Sequence, residues 1–350
     1  CDDTAAAVLD GDGNVLSNVV SSQWELNAKW KGIVPALAAR AHADNLPHVI
    51  AAAIEQSGLD GVEKLSAIAV TSGPGLSPCL DVGLRSAQQL CLDNPEVAFL
   101  QINHLEAHIL VSRLPNTGVT VPKFPFVVLL VSGGHCCLVL AKGVGDYELL
   151  GSTLDDSVGE AYDKVARMLD ISSSRGVHGG RLIEEMAARG NDRAFPFTEP
   201  MKHRRDCDFS YSGIKTAMLR EVRQLETLDD DTKQDLCASF QKRAVDQLVT
   251  RTRRACEWAR DRVGEDLKHL VVCGGVASNQ YLRRRLQDTA REDGLEAVFP
   301  PVKYCTDNGV MIAWTGLERF KMGMRSDPSS ARYSPRWPLE SLEPIERNEE

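Results

Sequence analysis

The stretch QINHLEAHILVSRL, residues 101–114, sets His104 and His108 four positions apart in a run with the apolar spacing of a helix. Residues at i and i+4 share a helix face, so both imidazoles can reach one cation. A His-Glu-x-x-His helix would add the base of a zinc protease, but here the glutamate is Glu106, two residues after His104. Two helical steps of about 100° each turn it to the opposite side, which removes it as base to a metal held by the pair. Two imidazoles need a further ligand, and a carboxylate on a loop is a natural one. The segment YCTDNGV offers Asp307 just before a helical run; taken alone, that aspartate reads first as a helix N-cap.

A second chemistry is suggested by two aliphatic runs that each end in Gly-Gly and polar residues, VVLLVSGGH (127–135) and LVVCGGVASN (270–279). Such turns let the backbone approach a ligand, and their N–H groups can hold phosphate oxygens. Neither spells Gly-x-Gly-x-x-Gly or a Walker loop, and a tight turn alone would explain either one. Two of them at strand ends strengthen the case for a ligand, because ligands collect at the carboxyl ends of such strands.

These residues need a frame, and 350 residues exceed what one core usually serves, so two lobes are expected. With 43% hydrophobic and 25% charged residues the composition is that of a globular protein. Ten cysteines, scattered without Cys-x-x-Cys spacing, suit reduced thiols and not a secreted disulfide scaffold. No run reaches the roughly 18 apolar residues of a membrane span. A net charge of −9 argues against an indiscriminate nucleic-acid binder. The local clusters KHRR (202–205) and RRR (283–285) remain candidates for phosphate contacts, beside the plainer reading of solvated charge.

Along the chain, AAAVLDGDGNVLSNVV reads as a hairpin around an Asp-Gly turn. Helical spacing follows in PALAARAHADNLPHVIAAAIEQSG. A buried strand, a Gly/Pro turn and a helix carrying Leu84, Ala87 and Leu90 occupy residues 64–93. After the histidine helix, LPNTGVTVPKFP is the best inter-lobe connection. The second half again runs strand, Gly-Gly turn, strand, turn, strand, then helices, the longest over residues 231–262. Strands alternating with helices specify an α/β architecture.

Taken together, CDDTAAAV, TSGPGL, NHLEAH, LLVSGGH, GEAYDKVARML, DFSYSGIKT, GGVASN and CTDNGVMIAW resemble, in order over residues 1 to about 323, the TsaD family of tRNA N6-adenosine threonylcarbamoyltransferases. SGGHCC, RDCDFSYSG and GGVASNQYLRR look most like its mitochondrial branch. The resemblance implies the actin-like ATPase, sugar kinase and Hsp70 (ASKHA) fold, with two related lobes around a nucleotide-binding cleft. The lobes would be residues 1–117 plus 308–350, and 118–307. It implies one divalent metal ion per subunit on His104, His108 and Asp307, zinc or iron in preference to magnesium. Nucleotide-side contacts would fall to Leu130, Val131, Ser132, Gly133, Gly134, Asp163, Gly180, Glu184, Ser278 and Asn279, with Asp2 and Asp3 as candidate catalytic residues.

The implied reaction moves a threonylcarbamoyl group from threonylcarbamoyl-adenylate to N6 of adenosine 37 in tRNAs reading codons that begin with A, releasing AMP. The implied partners are tRNA, a separate adenylate-producing synthase and a second copy in a homodimer, with no membrane. The implied location is the mitochondrial matrix, or the cytoplasm for a bacterial chain. Two departures stand out. The family begins with a strand like GIETS before CDDT, which is expected to be missing here, and Arg181 stands where bacterial members often have proline. Other readings are a kinase or chaperone-like ATPase of the same fold, a non-catalytic nucleotide-binding scaffold and, less favoured, a metalloendopeptidase.

Overall fold

The computed structural model describes residues 3–23, 26, 30, 33–171 and 179–343; the candidate Asp2 lies outside them. The chain opens with β1 (Asp3–Leu9), β2 (Val15–Ser22), α1 (Pro35–Ser57), β3 (Ala67–Gly73), α2 (Ser77–Asp93), β4 (Ala98–Asn103) and α3 (His104–Leu110). Next come β5 (Phe126–Val131), β6 (Cys136–Gly143), β7 (Asp146–Ser152), α4 (Val158–Met168), α5 (Gly179–Ala187), α6 (Ser212–Gln224) and α7 (Asp230–Val263). The series ends with β8 (His269–Cys273), α8 (Gln280–Glu292), β9 (Glu296–Val298) and α9 (Gly309–Lys321). The architecture is mixed α/β.

Two compact units result, one of residues 1–121, 143–147 and 306–350, the other of 122–142 and 148–305. Asp307 thus falls in the first unit with the histidines, whereas the lobes expected from the resemblance made it the last residue of the second.

In the first unit β1 and β2 form the antiparallel hairpin, with a bulge at Val8/Leu9. Its turn is closed by Asp10, whose carboxylate accepts the Asp12 and Asn14 amides and the Asn14 side-chain amide. Strands β3 and β4 pair in parallel around the α2 crossover, and α2 buries Leu80, Leu84, Ala87 and Cys91. Helix α9 packs on β1 and β3 through glycines: a Cβ on Gly309 would stand 2.7 Å from the Ala6 carbonyl carbon, and one on Gly316 would collide with Ala69. Strands β1 and β3 do not pair. Asp3–Leu9 and Ala67–Thr71 line a cavity of about 740 Å³, together with residues of α1, α2 and α9.

The second unit is built on a five-stranded sheet in the order β7-β6-β5-β8-β9. Strand β6 is antiparallel to β5, whereas β8 is parallel to β5 and β9 to β8. Every residue of β5 is buried, as a strand covered on both faces requires, and this explains its unbroken aliphatic run. The 34-residue α7 contributes Leu236, Phe240, Ala244, Val245 and Leu248 to the same core as Val127 and Leu129.

The cysteines belong to these cores. Of the nine described, none of which is in a disulfide, only Cys79 is not buried. Burial pushes the Cys137, Cys237 and Cys256 thiols up to about 12, which suppresses the reactive thiolate. Native protein at pH 8 is therefore expected to react with an alkylating reagent at Cys79 alone among these nine, and at all nine in denaturant, as read by peptide mass spectrometry.

Candidate metal centre and glycine turns

The histidine helix is set by its cap. Asn103 closes β4 and accepts the Leu105 and Glu106 amides at 2.9 and 3.2 Å, while its side-chain amide donates to the Trp337 carbonyl at 2.9 Å. The sequence reading missed this residue; the signal was an Asn directly before the first helical position. With the start fixed, His104 and His108 rise on one face, ring centroids 4.7 Å apart and 76° between planes.

Asp307 arrives from the other end of the chain. Its Oδ1 lies 3.5 Å from His104 Nε2 and 3.1 Å from His108 Nε2, and one donor atom from each of the three lies within 4.8 Å of the others. A tetrahedral shell with bonds of roughly 2.1 Å places its donors roughly 3.4 Å apart, so the three residues fit a divalent ion. The expectation that Asp307 is an N-cap is corrected. Asn308 caps α9, accepting the Met311 amide at 3.0 Å and donating to the Thr306 carbonyl at 2.8 Å. The cap falls one residue later, which leaves Asp307 to turn toward the imidazoles. Packing around the Asp307 carboxyl works to raise its pKa. The neighbouring His104 and the His108 hydrogen bond outweigh that and hold it well below the usual carboxylate range.

Glu106 faces away from the pair, as its spacing requires. It is fully buried, and Arg319 holds it through Nε to Oε2 at 2.7 Å and Nη2 to Oε1 at 2.9 Å. The Tyr147 hydroxyl and the Gly145 amide also donate to Oε1, each at 3.0 Å. A carboxylate engaged on both oxygens cannot be the base of a peptidase. Asp3 lines the same cavity as His104 and Asp307, and its Oδ1 is buried without a hydrogen-bond partner among the described residues.

In the second unit the two glycine turns leave adjacent parallel strands at the same end, since Leu130 of β5 pairs with Cys273 of β8. Leu130 and Val131 are buried in β5. Ser132 Oγ accepts the Gly134 and His135 amides, and Ser157, the N-cap of α4, donates to the Gly133 carbonyl at 2.6 Å. The Gly133 and Gly134 Cα atoms face open space, with nothing within 4 Å of a built Cβ. Gly274, at φ +91°, abuts the Val131 carbonyl too closely for any side chain. Asp163 on α4 sits against the start of α5, where a Gly179 Cβ would lie 2.7 Å from its Oδ1, and Gly180 lies over Tyr162.

Glu184 Oε1 accepts the Gln280 amide at the head of α8 at 2.6 Å. Ser278 Oγ closes on the Gly275 carbonyl. Asn279 has a structural role that its sequence position did not reveal. Its side chain caps α8 through the Leu282 amide and donates to Gln241, both at 2.9 Å, and the residue is buried, so its polar ends are engaged before any nucleotide arrives.

Of the basic clusters, RRR is largely structural. Arg283 donates to the Ala277 and Pro300 carbonyls, and Arg285 pairs with Asp246 at 2.8 Å. The KHRR loop differs: Lys202, His203, Arg204 and Arg205 are all exposed. The buried Arg251 pins this loop from within, donating to the Met201, Arg204 and Asp206 carbonyls.

A family profile described as "TsaD: tRNA N6-adenosine threonylcarbamoyltransferase" matches residues 14–314. A probable mitochondrial tRNA N6-adenosine threonylcarbamoyltransferase of Arabidopsis thaliana is 42% identical over 358 residues, covering 97% of this chain and 73% of that protein. The Methylocapsa acidiphila enzyme of the same name is 44% identical over 345 residues, covering 97% and 95%, and that of Anaplasma phagocytophilum 44% over 344 residues, covering 98% and 96%. Among solved structures, full-length HypF in its phosphate- and nucleotide-bound form matches 80% of this chain with a TM-score of 0.53 at 12% identity. HypF of T. kodakarensis gives 0.55 at 15% identity over 79% of this chain. These two likenesses concern the fold alone, and the chain spans 42% and 43% of those proteins. The chain belongs to the TsaD family of tRNA N6-adenosine threonylcarbamoyltransferases, the enzymes that form N6-threonylcarbamoyladenosine in tRNA.

Proposed function

We propose that the threonylcarbamoyl donor is threonylcarbamoyl-adenylate and the acceptor N6 of adenosine 37 in tRNAs reading codons that begin with A. The bond formed joins the acyl carbon to N6, the bond broken joins it to the phosphate oxygen, and AMP leaves as N6 loses a proton. The N6 lone pair is delocalised into the ring, so activation has to come from the electrophile. A divalent ion on His104, His108 and Asp307, zinc or iron in preference to magnesium, would polarise the acyl carbonyl or hold the phosphate. The observation that carries this reading is the convergence of those three side chains from residues 199 positions apart.

In the second unit the Gly133 N–H makes no hydrogen bond among the described residues, and the space where a Gly133 side chain would stand is open, which suits the approach of the phosphate of the leaving AMP to this turn. Such a donor is worth a few kcal/mol where charge develops. Asp163, Gly180, Glu184 and Ser278 surround the neighbouring helix heads and are assigned to ribose and base, with Asn279 contributing through its backbone. Asp3 is assigned to the amine proton. The ASKHA fold, with the two units as its lobes, is supported by the likeness to HypF. The adenylate comes from a separate synthase, and the chain acts as a homodimer. The mitochondrial relative supports a matrix location, and no described helix is long and apolar enough to cross a membrane.

The test is reconstitution: this chain, synthetic threonylcarbamoyl-adenylate and tRNA transcripts with A or G at position 37. Mass spectrometry should find the modified nucleoside only with A37, one AMP per nucleoside; modification with neither transcript would remove the reading. The tRNA contact is assigned to the KHRR loop. Lys202→Glu with Arg205→Glu is expected to weaken tRNA binding about tenfold at moderate salt, to reduce the log-log salt slope by about two and to leave thermal stability unchanged.

A further inference from the structure

We infer that the buried Glu106–Arg319 pair sets the register between the two helices that supply the metal ligands, making Glu106 a positioning residue for the metal centre. The inference rests on the reading of His104, His108 and Asp307 as ligands. The same two helices carry both features. Helix α3 bears the histidines on one face and Glu106 on the other, and α9 starts two residues after Asp307 and carries Arg319. A guanidinium fork on a carboxylate fixes distance and rotation at once. Here it joins α3 to α9, with 6% exposure for Arg319 and 0% for Glu106. The Gly145 amide and Tyr147 hydroxyl occupy the remaining capacity of Oε1. A second pair, Arg113 to Glu318 at 3.0 Å, ties the turn after α3 to α9 on the same side.

The need for such a device follows from the shape of the site. Helix α3 has only seven residues, and most of what the two helices otherwise bury is apolar: Leu105, Ala107, Ile109 and Leu110 on α3, and Val310, Met311 and Trp314 on α9. Apolar contact is non-directional, so it resists separation of the helices far better than sliding. A slide of one ångström is half of a metal–ligand bond of roughly 2.1 Å and would break the shell formed by His104, His108 and Asp307. A buried ion pair stabilises a fold poorly compared with a packed apolar pair. Its directionality is what it adds here.

The experiment measures Co2+ affinity and the visible absorption of the Co2+ form in the full chain, beside the melting temperature of the metal-free protein. Glu106→Gln, and the double variant Glu106→Gln/Arg319→Met that leaves no unpaired buried charge, are expected to weaken Co2+ about 10- to 100-fold and to alter the absorption bands. Leu84→Ala, a cavity in the α2 core, is expected to lower the melting temperature and leave Co2+ affinity and spectrum unchanged. Parent-like affinity and spectrum in the double variant would overturn the inference, as would an equal loss in Leu84→Ala. Should the parent chain itself bind no Co2+, or His108→Ala bind it as well as the parent, the ligand assignment fails and the inference with it.

Discussion

Asp307→Asn is expected to cut product formation by 10²- to 10³-fold and to empty the metal site while leaving the fold almost untouched. The side chain is 46% exposed, is not the cap of α9, which Asn308 supplies, and keeps its size in the variant. Little stability is therefore at stake. The charge matters instead: an anionic oxygen 3.1 and 3.5 Å from two imidazole nitrogens is the only carboxylate in the three-residue group among the described residues. A Lewis acid stabilises developing charge by several kcal/mol, and each factor of ten in rate corresponds to about 1.4 kcal/mol. His108→Ala should give the same loss of metal and activity with a lower melting temperature, because that ring is buried. Metal content by elemental analysis, read beside modified nucleoside per tRNA, separates the alternatives. A metal-free Asp307→Asn protein that modifies tRNA at the parent rate would take the ion out of the chemistry.

What could be read beforehand followed the range of the interactions involved. The hairpin turn was legible because Asp10 satisfies it locally, through Asp12 and Asn14. The common face of His104 and His108, and the opposite face of Glu106, follow from helix geometry alone. Arg319, the partner of Glu106, lies 213 residues away, and no spacing rule reaches that far. Asp307 could be offered as a loop carboxylate, but by local rules it reads first as a cap, and only the family resemblance put it with the histidines. Three asparagines show local signals that went unread. Asn103, Asn279 and Asn308 each precede a helix and each cap it, yet the sequence reading noticed none as a cap and gave Asn279 to the nucleotide. Likewise the RRR cluster looked free because the Ala277 and Pro300 carbonyls that hold Arg283 become neighbours only when β8, α8 and the segment after β9 fold together.

The glycine turns give the other large effect, and they divide into two kinds. Gly274→Ala is expected to destabilise the protein by roughly 3 kcal/mol or more, because two costs coincide. At φ +91° an L side chain is strained by about 1–3 kcal/mol. The new Cβ would also strike the Val131 carbonyl, a backbone group fixed in β5, the parallel neighbour of β8. A side chain could swing aside; this carbonyl moves only if the two strands part. Gly133→Ala meets neither cost, since nothing lies within 4 Å of its Cβ and its φ is not in the left-handed region. Its unfolding free energy should stay within about 1 kcal/mol of the parent value. The methyl would nevertheless fill the open space at this turn, which is the space assigned to the phosphate, so AMP affinity measured by calorimetry should fall at least tenfold. Urea unfolding with AMP titration distinguishes the two positions: a Gly133→Ala protein that binds AMP like the parent would move the phosphate away from this turn.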